Sequence, residues 1–347
     1  MSFSFNSHTH QLLFAHEYLA AFPQRGRPFS CPELGLRFHG LRDCLCLGKS
    51  EQALLPIQAQ GQLPFIFRES CPYRANELSL PKTVLKELEA CRDSPLPELD
   101  EAAPFFPAGH RNFWHWTIEN LPRLLALEQS GYSGPYIVAL DSPLVRQSLE
   151  LFGIAPERLL PCTSYRVKRL ILPPRLSGFE LAHNMPLTDF LRQSILNAVG
   201  SLPGEKRVYI RRIGRRKIAN EAEILPILDS FGFECMTPEE LSLAEQFRYM
   251  SNVGCSFMAH GANVTLALLQ KPGSGLVELF GNRYISYTNL HAVRLLGLRY
   301  HALVDELDPS ACPAVDQGAR AYLQDGLSAD LEPDPLYVRI ILENMLG

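Results

Sequence analysis

The sequence predicts an α/β chain built from two doubly wound domains, with extra β-strands in the N-terminal region. Three observations carry this. From residue 136 onward, short apolar runs alternate with amphipathic stretches, the pattern of parallel strands joined by helices. Between 208 and 303 the alternation becomes regular enough to read as successive βα units of a Rossmann-like sheet. At 347 residues, 46% of them hydrophobic, the chain is long enough to fill two cores of ordinary size. The expected division is an N-terminal α/β domain over 1–180, a second Rossmann-like domain over 181–330, and a helix over 331–347 that packs back on the N-terminal domain. The linker is expected between about 175 and 203, after the Pro173-Pro174-Arg175 break and Gly178.

In chain order, the apolar runs at 34–38, 45–47 and 64–67 sit between Pro, Gly and Arg breakers and predict strands of a small sheet. Residues 83–91 predict a helix. The stretch 92–107 is rich in proline and acid and predicts a surface loop. No motif precedes residue 100.

In 112–127, Phe113, Trp116, Leu121, Leu124 and Leu127 fit one apolar helix face, while His115, Glu119 and Arg123 recur every four residues on another. Pro122 has no N–H to give to the carbonyl of Ile118, so the helix is expected to kink or restart there, with Asn120 available as a second cap. The spacing admits a plain Glu-to-Arg surface pair beside a core histidine. It equally suits a general base, in which the Glu119 carboxylate orients the His115 imidazole or raises its basicity. Both tryptophans of the chain flank His115 and are expected in the core rather than as a sugar-stacking wall.

Beyond this helix, strands are expected at 136–140, 158–160 and 169–172, and helices at 144–152 and from about 188 to 202. The second domain then reads as strand 208–210, helix 221–231, strand 233–236, helix 243–250, strand 253–258, helix 262–269, strand 276–279, helix 287–296 and strand 299–303.

In such sheets, ligands bind beyond the carboxyl ends of the strands. Three features fall there. The first strand empties into Arg211, Arg212, Gly214, Arg215, Arg216 and Lys217, followed by Asn220 and Glu223 as a capping pair for the next helix. Strand, basic loop and helix start make a site for a phosphate or diphosphate, against the plainer reading of a solvated basic face. His260-Gly261-Ala262 follows the third strand, where glycine lets a ligand approach the backbone; the alternative is a tight turn with a capping histidine. Glu278 offers two oxygens to ribose hydroxyls or simply ends its strand. The glycines of Lys271-Pro-Gly-Ser-Gly275 precede a strand and form a turn, and no G-x-x-x-x-G-K-[ST] occurs, which excludes a P-loop ATPase.

A net charge of −4 argues against a general binder of nucleic acid or membrane surfaces and leaves the 211–217 cluster as a local anion site. The nine cysteines form no C-x-x-C pair and are expected as reduced, mostly buried thiols. No basic-then-apolar leader opens the sequence, and no apolar run reaches the roughly 18–20 residues that span a bilayer, so a cytoplasmic protein is expected.

Taken together, these segments resemble glycosyltransferase family 61. His115-Trp-Thr-Ile-Glu119-Asn-Leu-Pro122-Arg123 resembles the family's H-W-x-x-E-x-x-P-R segment, and Tyr209-Ile-Arg-Arg212, Arg216 and Asn220-Glu221 resemble its Y-I-S-R, R and N-E elements. The run from Pro238 to Gln246, then His260-Gly-Ala262 and Val277-Glu278-Leu279, follow in the family's order, so the resemblance covers roughly 105–300. Two departures stand out: Arg211 where the family usually has Ser, and Leu266 where an Asn commonly follows His-Gly-Ala by a few residues.

The resemblance implies two Rossmann-like domains facing across a cleft (GT-B-like), with a nucleotide-diphosphate sugar, UDP-linked, in the C-terminal lobe and transfer with inversion. No Asp-x-Asp occurs in the chain, in keeping with metal-independent departure of a diphosphate held by arginines and backbone amides. On this reading Arg211, Arg212, Arg216, His260, Gly261 and Ala262 hold the diphosphate, Glu278 holds the nucleoside, and His115 or Glu119 takes the acceptor proton. The implied partners are the donor and a saccharide or glycan acceptor, lipid-linked acceptors included, in bacterial surface polysaccharide or glycan synthesis. Neither nucleic acid nor a cofactor is expected, and a lipid-linked acceptor would bring the protein to the inner face of the membrane. The alternative is a non-catalytic nucleotide- or carbohydrate-binding protein on the same scaffold, since fold does not fix function.

Overall fold

In a computed structural model, the described residues are 30–34, 36–37, 39–47, 53–56, 86–87, 90–91, 95–105, 112–172, 185–281, 296–305 and 329–347. The strand expected at 64–67, the break at 173–178 and nearly all of the helix expected at 287–296 lie outside them. The chain forms two compact units: residues 1–110, 123–142 and 155–175 in the first, and 111–122, 143–154 and 176–347 in the second.

The first unit carries the small antiparallel pair β1 (Ser30–Cys31) and β2 (Leu36–Arg37), then β3 (His39–Leu47), β4 (Ala53–Pro56) and β5 (Glu98–Phe105). Helix α1 (Leu121–Gln129) enters this unit at Arg123 and is followed by β6 (Tyr136–Val138), β7 (Leu159–Pro161) and β8 (Tyr165–Leu172). The six-stranded sheet runs β4-β3-β8-β5-β6-β7. Its β8, β5, β6 and β7 are parallel, whereas β3 is antiparallel to β8 and to β4. A core of Cys46, Ala102, Ile137, Tyr165, Val167 and Leu170 lies against it.

The central position of β5 corrects the expectation of a loop at 92–107. Its acidic half is neutralised across the strand pair, with Lys168 donating to Asp100 at 2.7 Å and Arg169 to Glu101 at 2.5 Å, while Ala102, Ala103 and Phe105 are fully buried. Pro104 lies beyond the last residue paired with β8, which is how a residue without an N–H fits an internal strand.

In the second unit, α2 (Pro143–Leu151) and α3 (Met185–Val199) precede β9 (Lys206–Ile210), α4 (Glu221–Ser230), β10 (Phe233–Met236), α5 (Leu243–Ser251) and β11 (Val253–Ala259). A 3₁₀ segment (Ala262–Leu269), β12 (Gly275–Phe280), β13 (Arg299–Val304) and α6 (Pro335–Leu346) complete it. The five strands run β10-β9-β11-β12-β13, all parallel. Numbered within the sheet, the order is 2-1-3-4-5. In that order the winding reverses between the first and third strands, and sheets of this kind bind ligands beyond the carboxyl ends at that point.

Residues alternate between the two faces of this sheet. Tyr209, Phe257, Ala259, Val277, Leu279 and Leu303 share one face with Ile224 and Leu228 of α4 and Val338 and Leu342 of α6. On the other, the fully buried Ser256 donates to Gln270 just past the 3₁₀ segment, and α3, α5 and that segment pack together. The buried face of α6 is turned to this sheet. Residues 331–334 lead into it along the carboxyl end, where Leu331 bridges to Ile218 and Glu332 donates its N–H to Asp305.

Two local expectations are corrected. Asn220 precedes α4 but does not cap it; its amide donates to the carbonyl of Pro333 at 3.0 Å. A reciprocal capping box forms instead at Ser242 and Glu245, at the start of α5. The helix expected at 262–269 is 3₁₀ throughout, a tighter coil in which all six residues from Val264 to Leu269 are buried.

Candidate functional site

The switch point lies between β9 and β11, and the two loops singled out in the sequence meet there. The loop after β9 turns through Gly214 (φ +92°) and Arg216 (φ +58°), the latter a left-handed conformation that non-glycine residues seldom adopt. This turn brings Arg216 back beside Arg212. Each places Nη1 3.0 Å from the backbone oxygen of His260, at the end of β11.

The Arg212 guanidinium has its pKa lowered, first by burial and then by the charge of Arg216, with Glu239 opposing. Two half-buried cations that disfavour one another form a place where an anion is stabilised. Arg211, expected beside them, turns away: it pairs with Glu221, which also accepts from the Tyr209 hydroxyl at 2.8 Å. Arg215 is exposed, and Lys217 is exposed with Asp330 at 3.9 Å.

Gly261 makes the close approach possible. Its backbone (φ +151°, ψ −166°) is one only glycine adopts readily, and a Cβ there would stand 2.1 Å from Nη1 of Arg212 and 3.2 Å from Nη1 of Arg216. Ala262 begins the 3₁₀ segment, whose first turn is closed by Val264 N–H to the Gly261 carbonyl at 3.1 Å. Leu266, the departure from the family pattern, is buried inside this segment.

His260 is held on several sides. Its N–H donates to the Leu279 carbonyl at 2.7 Å, its ring stacks on Phe280 with centroids 4.7 Å apart, and its Nδ1 lies 2.5 Å from Oε1 of Glu278. Glu278 has no exposed surface, and its Oε2 accepts from the Tyr300 hydroxyl at 2.7 Å. The ribose role expected of Glu278 therefore meets a carboxylate engaged at both oxygens inside the protein. Tyr300 carried no signal in the sequence, because what brings it to Glu278 is the register of two parallel strands.

His115 and Glu119 lie in the second unit, with the five-stranded sheet. The expected kink takes the form of a π-helical turn over His115–Asn120, in which the N–H of Leu121 reaches back five residues to the carbonyl of Trp116. Pro122, which has no N–H for the next α-helical bond, follows immediately. The Asn120 amide donates to the His115 carbonyl at 2.9 Å. Trp116 anchors the turn, fully buried with Nε1 donating to Ser148 of α2 at 2.8 Å, and Phe113 stands edge-on to Phe247 of α5 at 6.2 Å. On this frame Nδ1 of His115 lies 2.9 Å from Oε2 of Glu119, with the imidazole 42% exposed. The Glu119 hydrogen bond raises the His115 pKa above its usual value, partly opposed by burial.

A cavity of about 340 Å³ is lined by Leu202, Lys206, Leu241, Arg248 and Tyr249. It sits at the amino end of β9, the wrong end of such a sheet for a nucleotide. Among the described residues, no cluster of His, Cys, Asp or Glu is placed to hold a metal ion, and no helix is long and apolar enough to cross a membrane.

Residues 113–277 match the model of the family Glycosyltransferase 61. The matched stretch contains the π-helical turn, the basic loop and His260-Gly261, and it ends one residue before Glu278. Sugar transfer between a donor and an acceptor is the activity this match implies. No curated protein matches the chain.

Proposed function

We propose that this chain, with its Glycosyltransferase 61 segment over 113–277, moves a sugar from a nucleotide-diphosphate sugar, UDP-linked, to a hydroxyl acceptor with inversion and without a metal. The observation that carries the reading is the convergence of Arg212 and Arg216 on one carbonyl beside Gly261, at the switch point of a doubly wound sheet. In the reaction the acceptor oxygen attacks the anomeric carbon as the bond from that carbon to the diphosphate oxygen breaks. The electron pair leaves on the diphosphate, whose growing charge Arg212, Arg216 and the Gly261 and Ala262 amides stabilise.

The acceptor proton passes to His115, whose basicity Glu119 increases. Histidine is the better candidate of the two, being the more exposed member of the pair. Arg211 contributes to the positive field at the loop while holding Glu221. A saccharide or glycan acceptor, made at the inner face of a bacterial membrane when lipid-linked, suits this chemistry.

Calorimetric titration with UDP, then GDP and CDP, in EDTA tests the donor site. Metal-free binding of UDP that is lost in Arg212→Ala supports it, and a screen of UDP-sugars for transfer or hydrolysis follows. Absence of binding to any nucleoside diphosphate overturns it.

A further inference from the structure

Glu278 has no exposed surface, yet it carries an ionisable carboxyl between two polar partners on different elements. Its strand β12 pairs with β13 so that Glu278 stands opposite Ala302 and Leu276 opposite Tyr300. Tyr300 is thus the diagonal neighbour on the adjacent strand, close enough for its hydroxyl to reach Oε2. Burial, followed by the charge of Glu278, pushes the Tyr300 pKa far above its ordinary value, so the hydroxyl keeps its proton and donates. A buried carboxylate needs hydrogen-bond partners. Tyr300 donates to Oε2, and Nδ1 of His260 faces Oε1.

We infer that the Tyr300–Glu278 pair is an orienting device for His260, holding it as an Nδ1–H donor and thereby fixing the His260–Gly261 peptide on which both arginines converge. This rests on the donor-site reading for its functional consequence. The fixation is tight because the ring is also stacked on Phe280 and the backbone N–H of the same residue is bonded to Leu279. Turning the ring therefore disturbs the carbonyl that gathers Arg212 and Arg216. Glu278 and Tyr300 are positioning residues, and both lie past the end of the family match.

Loss of the Tyr300 hydroxyl has a defined consequence. Glu278 Oε2 loses that donor, and its carboxylate is no longer held from the side away from His260. The acceptor that faces Nδ1 of His260 can then turn, and the ring loses its fixed orientation.

The test uses the full chain with ¹⁵N-labelled histidine, in long-range ¹H–¹⁵N spectra, with His260→Gln serving to assign the resonances. The expected result is a protonated Nδ1 on His260 in the unaltered protein. In Tyr300→Phe the Nδ1–H signal of His260 shifts and weakens as the ring loses its fixed acceptor, and UDP binding weakens by roughly tenfold. Where Tyr300→Phe does not fold, Glu278→Gln replaces it: its amide oxygen accepts from Tyr300, its NH₂ donates to Nδ1, and a change of His260 to the Nε2–H form is expected. An unprotonated Nδ1 in the unaltered protein overturns the inference, as does a folded Tyr300→Phe with spectrum and UDP affinity unchanged. If the unaltered protein binds no nucleoside diphosphate, the donor-site reading fails, while the histidine spectra still decide the orientation of His260.

Discussion

Arg212 and Arg216 share one acceptor, each placing Nη1 3.0 Å from the carbonyl oxygen of His260 although three residues separate them in the chain. Arg212 bears the cost of burial next to a like charge. A diphosphate entering beside them gains charge-assisted contacts of about 1.5–3 kcal/mol each. Arg212→Ala is therefore expected to weaken UDP binding roughly ten- to hundredfold, read by calorimetry, and affinity equal to that of the unaltered protein removes the phosphate role from Arg212.

Gly261→Ala tests the close approach. The added Cβ meets the far end of the Arg212 side chain at 2.1 Å, so the arginine can swing away and the clash falls on ligand binding rather than on the fold. The backbone at φ +151° adds a cost of about 1–3 kcal/mol. Gly232→Ala is the control, since φ is also positive (+73°) but nothing lies within 4 Å of its Cβ. Both variants are expected to melt a few degrees lower, and only Gly261→Ala to lose UDP affinity.

Leu342→Ala probes the attachment of α6. Leu342 is fully buried in the core shared with α4 and the sheet, and its truncation leaves a cavity worth about 2–5 kcal/mol in denaturant unfolding. Leu336 and Tyr337, exposed on the first turn of the same helix, are expected to change stability by less than about 0.5 kcal/mol when replaced by alanine. Equal effects at the two positions would deny that this helix face is held by the sheet.

The five parallel strands of the second unit were legible because each is an apolar run between turn residues, and β10 matches its expected bounds to the residue. Strand β5 was not, since a proline and three acids mask a pattern that becomes apolar only in its second half and is neutralised by Lys168 and Arg169 from a distant segment. The meeting of the basic loop with His260 followed from the rule that ligands gather at carboxyl ends. The turning away of Arg211 did not, because it depends on which neighbour Glu221 serves. Asn220 and Glu223 have the spacing of a cap, but the amide is drawn to Pro333, more than a hundred residues away in sequence. Contacts fixed by strand register or by remote segments leave no local signature.

The pH dependence of turnover distinguishes a base from a structural histidine at position 115. A base must be neutral to accept a proton, so activity is expected to rise with pH through the His115 pKa and to level off above it. The Glu119 hydrogen bond raises that pKa because the carboxylate stabilises the imidazolium. In Glu119→Gln the stabilisation is lost, so the acid limb of kcat/KM is expected to move to lower pH while the plateau falls, because a less basic imidazole takes the proton less readily. His115→Ala is expected to lower kcat by ~10²- to 10⁴-fold with UDP affinity nearly unchanged, since the positioned base acts on the acceptor and not on the donor. If Glu119→Gln leaves the acid limb where it was, the titrating group is not His115. If His115→Ala and Glu119→Gln both keep near-normal turnover, the base lies elsewhere, and the π-helical turn serves only to seat Trp116 against Ser148.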